Sequence, residues 1–148
     1  RVYADEIAMG EIFATEMFEE LDEYQIMLVL ASLVYEPREN DEFKKTYYSE
    51  SLGKLKTILY KNMYLSREKK FLELKTVTAL VHPIYHNEDF FSVLNETNLL
   101  EGDLIRIYLQ ILDRTGQIKK ASTRSEQLLK INNVEGLIKK ALEGIYLV

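Results

Sequence analysis

The strongest constraint on the fold is a run of ten residues, 26–35, in which Ser32 is the one interruption of an apolar sequence. Asp22 and Gln25 precede this run at the spacing of a capping box, so we expect a helix to begin there and to end before Pro37. A helix that is apolar on nearly every side has no face for water. We therefore expect it to lie inside a bundle of other helices. The run is too short to span a membrane, which takes about 20 residues.

The composition also favours helices. The chain has 148 residues, 47% hydrophobic and 29% charged, which is typical of a single domain over residues 1–148. Six glycines and two prolines are few for an all-β protein, which needs a turn about every 8–12 residues. The absence of cysteine excludes disulfides and thiolate chemistry and favours a cytoplasmic location. The first residues lack a secretory leader and a starting methionine, which suggests a fragment or a processed chain.

Apolar residues spaced three and four apart predict the other helices. Together with the apolar run they make an all-α fold, a single helical bundle of about seven helices. The first of them carries the apolar stripe Ile7, Phe13, Met17 and Leu21. Asn87 is predicted to cap the helix that carries Phe90, and Asn98 is predicted to cap the helix that begins near Leu99. The predicted ranges are residues 6–20, 42–64, 74–84, 90–94, 99–119 and 132–145.

No catalytic motif is present. The chain has neither a P-loop nor a dinucleotide-binding glycine motif, so we expect no cofactor and no enzymatic activity in this chain alone. His82 and His86 have a spacing that could bind a metal. Pro83 lies between them, however, and no cysteine adds a ligand, so we expect no metal site.

The charges are distributed unevenly along the chain. The net charge is −5, yet residues 1–43 contain twelve acidic and two basic residues, whereas residues 44–148 contain seventeen basic and twelve acidic ones. A negative total argues against a freestanding nucleic-acid-binding protein. It leaves open a domain that contributes one face to a larger nucleic-acid channel.

One predicted helix carries a distinctive polar stripe. At about 100° per residue, the apolar side of the helix that follows Glu101 is formed by Leu104, Tyr108, Ile111, Thr115 and Ile118. The opposite side presents Arg106, Gln110, Asp113 and Gln117. A row of a guanidinium, two amides and a carboxylate can meet phosphates and base edges. The alternative is an ordinary solvated face, which most helices have.

The residues around this stripe resemble a known family. Glu101-Gly102-Asp103-Leu104-Ile105-Arg106 is similar to the Glu-Gly-x-hydrophobic-hydrophobic-Arg signature in the C-terminal helical (DSHCT-type) domain of Ski2-like DExH RNA helicases, the Mtr4/Ski2 family. Arg1-Val2, residues 11–18, residues 28–35 and Ile138-Lys139-Lys140 resemble further stretches of that domain in the same order. Residues 38–80 do not match well.

The resemblance implies a role for the stripe. In that family the signature helix, called the ratchet helix, lines the path of a single strand over two RecA-like motor domains. Arg106 falls on the signature arginine, Gln110 on a position that is usually basic, and Asp113 on an acidic position. Ala141 departs from the family, which usually has an acid there.

The partners implied are single-stranded RNA, with DNA also open, and RecA-like motor domains of the same polypeptide. ATP and Mg belong to those motor domains in the parent helicase, and no membrane partner is expected. The alternative is a helical protein-interaction module with no nucleic-acid role.

Overall fold

The computed structural model describes residues 5–145, and Arg1-Val2, one of the resembling stretches, lies outside them. The described chain is helical, with one isolated antiparallel bridge between Phe43 and Thr97. Two short 3₁₀ turns are formed by Leu65–Arg67 and Lys69–Phe71. The eight α-helices of the described part are α1 (Glu6–Phe13), α2 (Met17–Glu20), α3 (Glu23–Val34), α4 (Glu50–Tyr60), α5 (Leu74–Tyr85), α6 (Phe90–Leu94), α7 (Glu101–Ala121) and α8 (Ser125–Ala141). None of the helices within residues 5–145 is long and apolar enough to cross a bilayer.

Helix α3 is the centre of the bundle. The predicted capping box is present. The Asp22 carboxylate accepts a hydrogen bond from the backbone N–H of Gln25, and the side-chain oxygen of Gln25 accepts one from the backbone N–H of Asp22. Every residue from Tyr24 to Val34 is buried. The helix packs against α5, α7 and α8, which surround it. The prediction of a central, all-round apolar helix is confirmed.

All eight helices contribute buried side chains to one hydrophobic core. The largest fully buried side chains include Phe18 of α2, Phe90 of α6 and Tyr108 of α7. The Tyr108 hydroxyl donates to the backbone oxygen of Leu80 at 2.7 Å, so its one polar atom is satisfied inside the core. The prediction of an all-α bundle is confirmed.

The first predicted helix is wrong in its continuity, because the chain breaks between α1 and α2. The Thr15 hydroxyl donates to the Glu11 carbonyl at 2.6 Å and accepts from the Met17 N–H at 3.3 Å. These local bonds compete with the helical ladder. The predicted apolar stripe is also wrong at Ile7, which is 60% exposed, whereas Ala8 and Ile12 are buried.

The predicted helix over residues 42–64 is helical only in α4. The backbone N–H groups of the segment before α4 bond to distant residues instead of to a helix of their own: Lys44 donates to the Glu96 carbonyl at 2.8 Å, and Tyr47 donates to the Thr78 hydroxyl at 3.0 Å. Ser49 then caps α4 by accepting from the Leu52 N–H at 3.2 Å. Distant partners therefore override the local pattern.

Both predicted asparagine caps are wrong. Asp89 caps α6, and Asn87 has a φ of 64°, in the left-handed region that asparagine tolerates. Asn98 uses its side chain to bind the loop after α3, accepting from the Glu42 N–H at 2.8 Å and donating to the Asn40 carbonyl at 2.6 Å.

The predicted start of the last helix differs from the structure, whereas the predicted helix with Pro83 near its end agrees with it. α8 begins at Ser125 rather than near Asn132 or Asn133, because its start has no capping side chain to reveal it in the sequence. Pro83 lies inside α5, which ends two residues later at Tyr85. Proline in a last turn removes one hydrogen bond without stopping the helix at once.

The burial pattern gives a test with two isoleucines. Ile111 is 1% exposed, so Ile111→Ala should lower the free energy of unfolding by about 2–5 kcal/mol through the cavity it leaves. Ile7 is 60% exposed, so Ile7→Ala should change it by no more than about 0.5 kcal/mol. Urea denaturation followed by circular dichroism measures both. Equal losses would show that α1 buries Ile7, as the sequence pattern predicted.

Candidate functional site

Helix α7 presents the predicted polar stripe to solvent. All four side chains of the stripe are exposed: Arg106, Gln110, Asp113 and Gln117. The five residues predicted on the opposite side are all buried: Leu104, Tyr108, Ile111, Thr115 and Ile118. The helix is continuous over 21 residues, so the stripe forms one straight row about 16 Å long at 1.5 Å per residue. The predicted geometry of this face is confirmed.

Arg106 is held at one end of the stripe by a shared carboxylate. Its Nη2 atom lies 2.7 Å from Asp103 Oδ1, one turn earlier on α7. Arg38, from the loop after α3, lies 3.4 Å from each oxygen of the same carboxylate, through Nη1 to Oδ2 and through Nη2 to Oδ1. Asp103 is 17% exposed, whereas the Arg106 and Arg38 side chains are 57% and 61% exposed. Two exposed guanidiniums therefore share one partly buried anion, and the carboxylates of Glu36 and Asp41 line the same place.

A small cavity of about 80 Å³ lies beside these arginines. Arg38, Asp103, Arg106 and Gln110 line it together with residues of the α3 end. Tyr35 also lines it, and its hydroxyl donates to Asp41 at 2.8 Å. Burial, followed by that hydrogen bond, raises the pKa of Tyr35, so the hydroxyl stays protonated at neutral pH. The cavity thus has fixed polar groups around it.

The other half of the stripe is joined by its own hydrogen bond. The Gln117 amide donates to Asp113 Oδ2 at 3.0 Å, and Arg114 Nη1 lies 3.4 Å from the same oxygen. Arg106 pairs instead with Asp103, at the other end of the stripe. The stripe therefore has a cationic half and an anionic half.

Arg114 plays a different part from Arg106 on the same helix. Its Nη2 lies 2.9 Å from Asp5 Oδ2, and its Nε donates to the same oxygen at 3.1 Å. The two side chains are 11% and 6% exposed, so this pair is buried. It fixes the residue before α1 to the middle of α7.

The two histidines belong to an aromatic cluster. The His82 ring stacks on Tyr47 with centroids 4.3 Å apart, lies 4.4 Å from the His86 ring, and its Nδ1 is 3.1 Å from the Tyr24 hydroxyl. Burial, and then the neighbouring His86, lower the pKa of His82, against a weaker opposing effect of Glu88. A neutral imidazole can accept the Tyr24 proton. Within residues 5–145, no group of three or more potential ligands is placed to hold a metal.

The sequence of the chain matches one known domain family. The sequence model of the DSHCT (NUC185) domain matches residues 2–142, which is nearly the whole chain. The chain belongs to the DSHCT domain family. Such domains are helical accessory domains found in helicases, so this DSHCT domain is helicase-associated. No curated protein and no solved structure matches the chain.

The match covers the stripe and also two residues that the sequence pattern did not single out. Arg38 follows Pro37, at which only the end of a helix was predicted, and Asp103 was noted only as part of a signature. No local periodicity links them, because they lie 65 residues apart and meet only in the folded bundle. A resemblance at Glu101–Arg106 could have pointed to Asp103, but nothing in the sequence pointed to Arg38.

Arg106 and Arg114 form a matched pair for a stability test. Arg106→Ala should change the free energy of unfolding by at most about 1 kcal/mol, because exposed ion pairs contribute little. Arg114→Ala should cost about 3–5 kcal/mol, because it leaves the buried Asp5 carboxylate without its cation. Chemical denaturation of the two variants measures the difference. A large loss on Arg106→Ala would make that residue a structural tie rather than a surface group.

The lowered pKa of His82 predicts how stability varies with pH. The unfolded chain binds the proton with an ordinary pKa of about 6.5, more tightly than the folded chain does. The contribution of His82 is therefore fully present above pH 6.5 or so and is lost as pH falls below it. The melting temperature of His82→Gln should fall less than that of the parent chain between pH 7 and pH 5. Parallel pH curves for the two would contradict this assignment.

Proposed function

We propose that this DSHCT domain is the C-terminal helical domain of a Ski2-like ATP-dependent RNA helicase, and that α7 is its ratchet helix. In this proposal the exposed stripe contacts single-stranded RNA as the strand passes over the RecA-like motor domains of the same polypeptide. The motor domains supply ATP binding and Mg, and the domain itself acts as a guide. The proposal places the protein in the cytoplasm.

The observation that carries the proposal is that α7 has one exposed polar face and, opposite it, one buried face. Arg106, Gln110, Asp113 and Gln117 are exposed in one row, while the residues opposite them are buried in the core. A rigid helix held along its whole inner face can keep a row of polar groups in register for a ligand. Within the resemblance, Arg106 falls on the arginine of the signature and Asp113 on an acidic position, whereas Gln110 departs from a position that is usually basic.

The chemistry of the row suits a strand that must move. A guanidinium has five N–H donors, and Arg106 uses only part of them on Asp103, so donors remain for a phosphate. Gln110 and Gln117 add amide groups that can donate and accept with base edges or ribose hydroxyls. An exposed ion pair is weak, so Arg106 can exchange Asp103 for a phosphate at little cost.

The charge distribution agrees with a domain that works as part of a larger protein. With a net charge of −5, the chain as a whole does not attract a polyanion. The exposed guanidinium of Arg106 is the place on the stripe where a phosphate can approach, and the carboxylates of Glu36 and Asp41 nearby weaken that attraction. We therefore expect the strand to bind chiefly between this domain and the motor domains.

The test is the salt dependence of strand binding by the full helicase. Arg106→Ala should weaken binding of single-stranded RNA by about 1–3 kcal/mol. It should also reduce the slope of log K against log salt by about 0.7, the value for one phosphate contact on a single strand. Fluorescence anisotropy with a labelled oligonucleotide, measured at several salt concentrations, gives both numbers.

Arg67 provides a matched control, since it is an exposed arginine in the 3₁₀ turn after α4. Arg67→Ala should leave the affinity and the slope unchanged. If the two variants behave alike, the stripe has no special contact with the strand. Loss of a protein partner on Arg106→Ala, with RNA binding intact, would favour a protein-interaction module instead.

A further inference from the structure

The polar face of α7 continues for one helical turn beyond Gln117. At about 100° per residue, Lys120 lies within about 40° of Arg106 around the helix axis, on the side of the stripe. Its side chain is exposed. The extended face therefore has a cation near each of its ends, with Gln110, Asp113 and Gln117 between them.

The charge of Lys120 has no counterion among the residues that the structure describes. Its ammonium group takes part there in no ion pair or hydrogen bond. The basic neighbours are different, because Lys119 is paired with Glu135 at 3.2 Å and Arg124 is paired with Glu19. Of these three basic side chains, Lys120 is therefore the one whose charge is available to a ligand.

Lysines in the last turn of a helix also stabilise its dipole. That effect applies equally to Lys119 and Lys120, since both lie in the last turn of α7. The two differ in direction, because Lys119 lies about 140° from Arg106 around the helix axis and its ammonium group reaches Glu135 of α8. The dipole therefore does not explain why one of the two lysines lies in line with the stripe.

We infer that Lys120 binds a phosphate of the single strand, which therefore follows α7 from Arg106 to Lys120 instead of crossing it at Arg106 alone. This inference rests on the proposed function of the stripe. The two cations are 14 residues apart, about 21 Å along the helix at 1.5 Å per residue. A stacked strand advances about 3.4 Å per nucleotide, so this distance corresponds to about six nucleotides.

The acidic residue between the two cations is compatible with this path. The Gln117 amide donates to Asp113 Oδ2 at 3.0 Å, and Arg114 Nη1 lies 3.4 Å from the same oxygen. The adjacent guanidinium offsets part of the repulsion between this carboxylate and a phosphate. The carboxylate can also accept a hydrogen bond from a ribose 2′-hydroxyl. We therefore expect phosphates at the two ends of the face, and sugars or base edges at its middle.

The test is the salt dependence of strand binding by the full helicase, measured with a single-stranded RNA of about 20 nucleotides, which is longer than the distance between the two cations. Lys120→Gln should reduce the slope of log K against log salt by about 0.7, the value for one phosphate contact on a single strand. Lys120→Arg should keep the parent slope, because it keeps the charge. The double variant Arg106→Ala with Lys120→Gln should lose about 1.4, because contacts this far apart act independently.

Lys119→Gln is the matched control, because it removes a lysine of the same turn that points toward Glu135. Its slope should equal that of the parent. An equal loss for the two lysines would overturn the inference, since it would show a general effect of charge. An unchanged slope in Lys120→Gln would overturn it too. In that case a reduced slope in Arg106→Ala would leave the proposed function in place, whereas an unchanged slope in both variants would remove the proposed function as well.

Discussion

The structure depends on the burial of α3 on all sides. Each fully buried leucine, isoleucine or valine in it contributes about 1.5–3 kcal/mol, and this gain requires other helices to cover every face. α5, α7 and α8 do so. Because α7 must turn an apolar face toward α3, its opposite face is necessarily left to solvent. The candidate site is thus a consequence of how the core is closed, and its residues need no special backbone geometry.

Features set by neighbouring residues could be predicted from the sequence. The capping box at Asp22 and Gln25 and the two faces of α7 depend on spacing within one or two helical turns, so periodicity found them. Features set by distant partners could not. Asn98 looks like a cap for α7, yet it binds backbone groups of the loop near Glu42, more than fifty residues away. The same competition removes the predicted helix before Ser49.

The residues of the candidate site fall into the same two groups, those placed by local spacing and those placed by distant partners. The exposed positions of Arg106, Gln110, Asp113 and Gln117 follow from the helical repeat. Arg38 joins them only because the loop after α3 lies against the start of α7, which no local pattern encodes. Ile7 shows the reverse failure, since a helical pattern places it inside although the packing of α1 leaves it in water. Periodicity thus predicts the buried and exposed faces of a long helix well, and those of a helix only two turns long poorly.

The carboxylate of Asp103 bears on how a ligand would leave. Because Arg38 contacts both oxygens of it and Arg106 contacts one, withdrawing one guanidinium still leaves the anion paired with the other. The usual penalty for stranding a poorly solvated charge is avoided in both directions. Either arginine can therefore move to a ligand and return, because the other one keeps Asp103 paired in the meantime. A contact built this way is suited to rapid turnover rather than to tight retention.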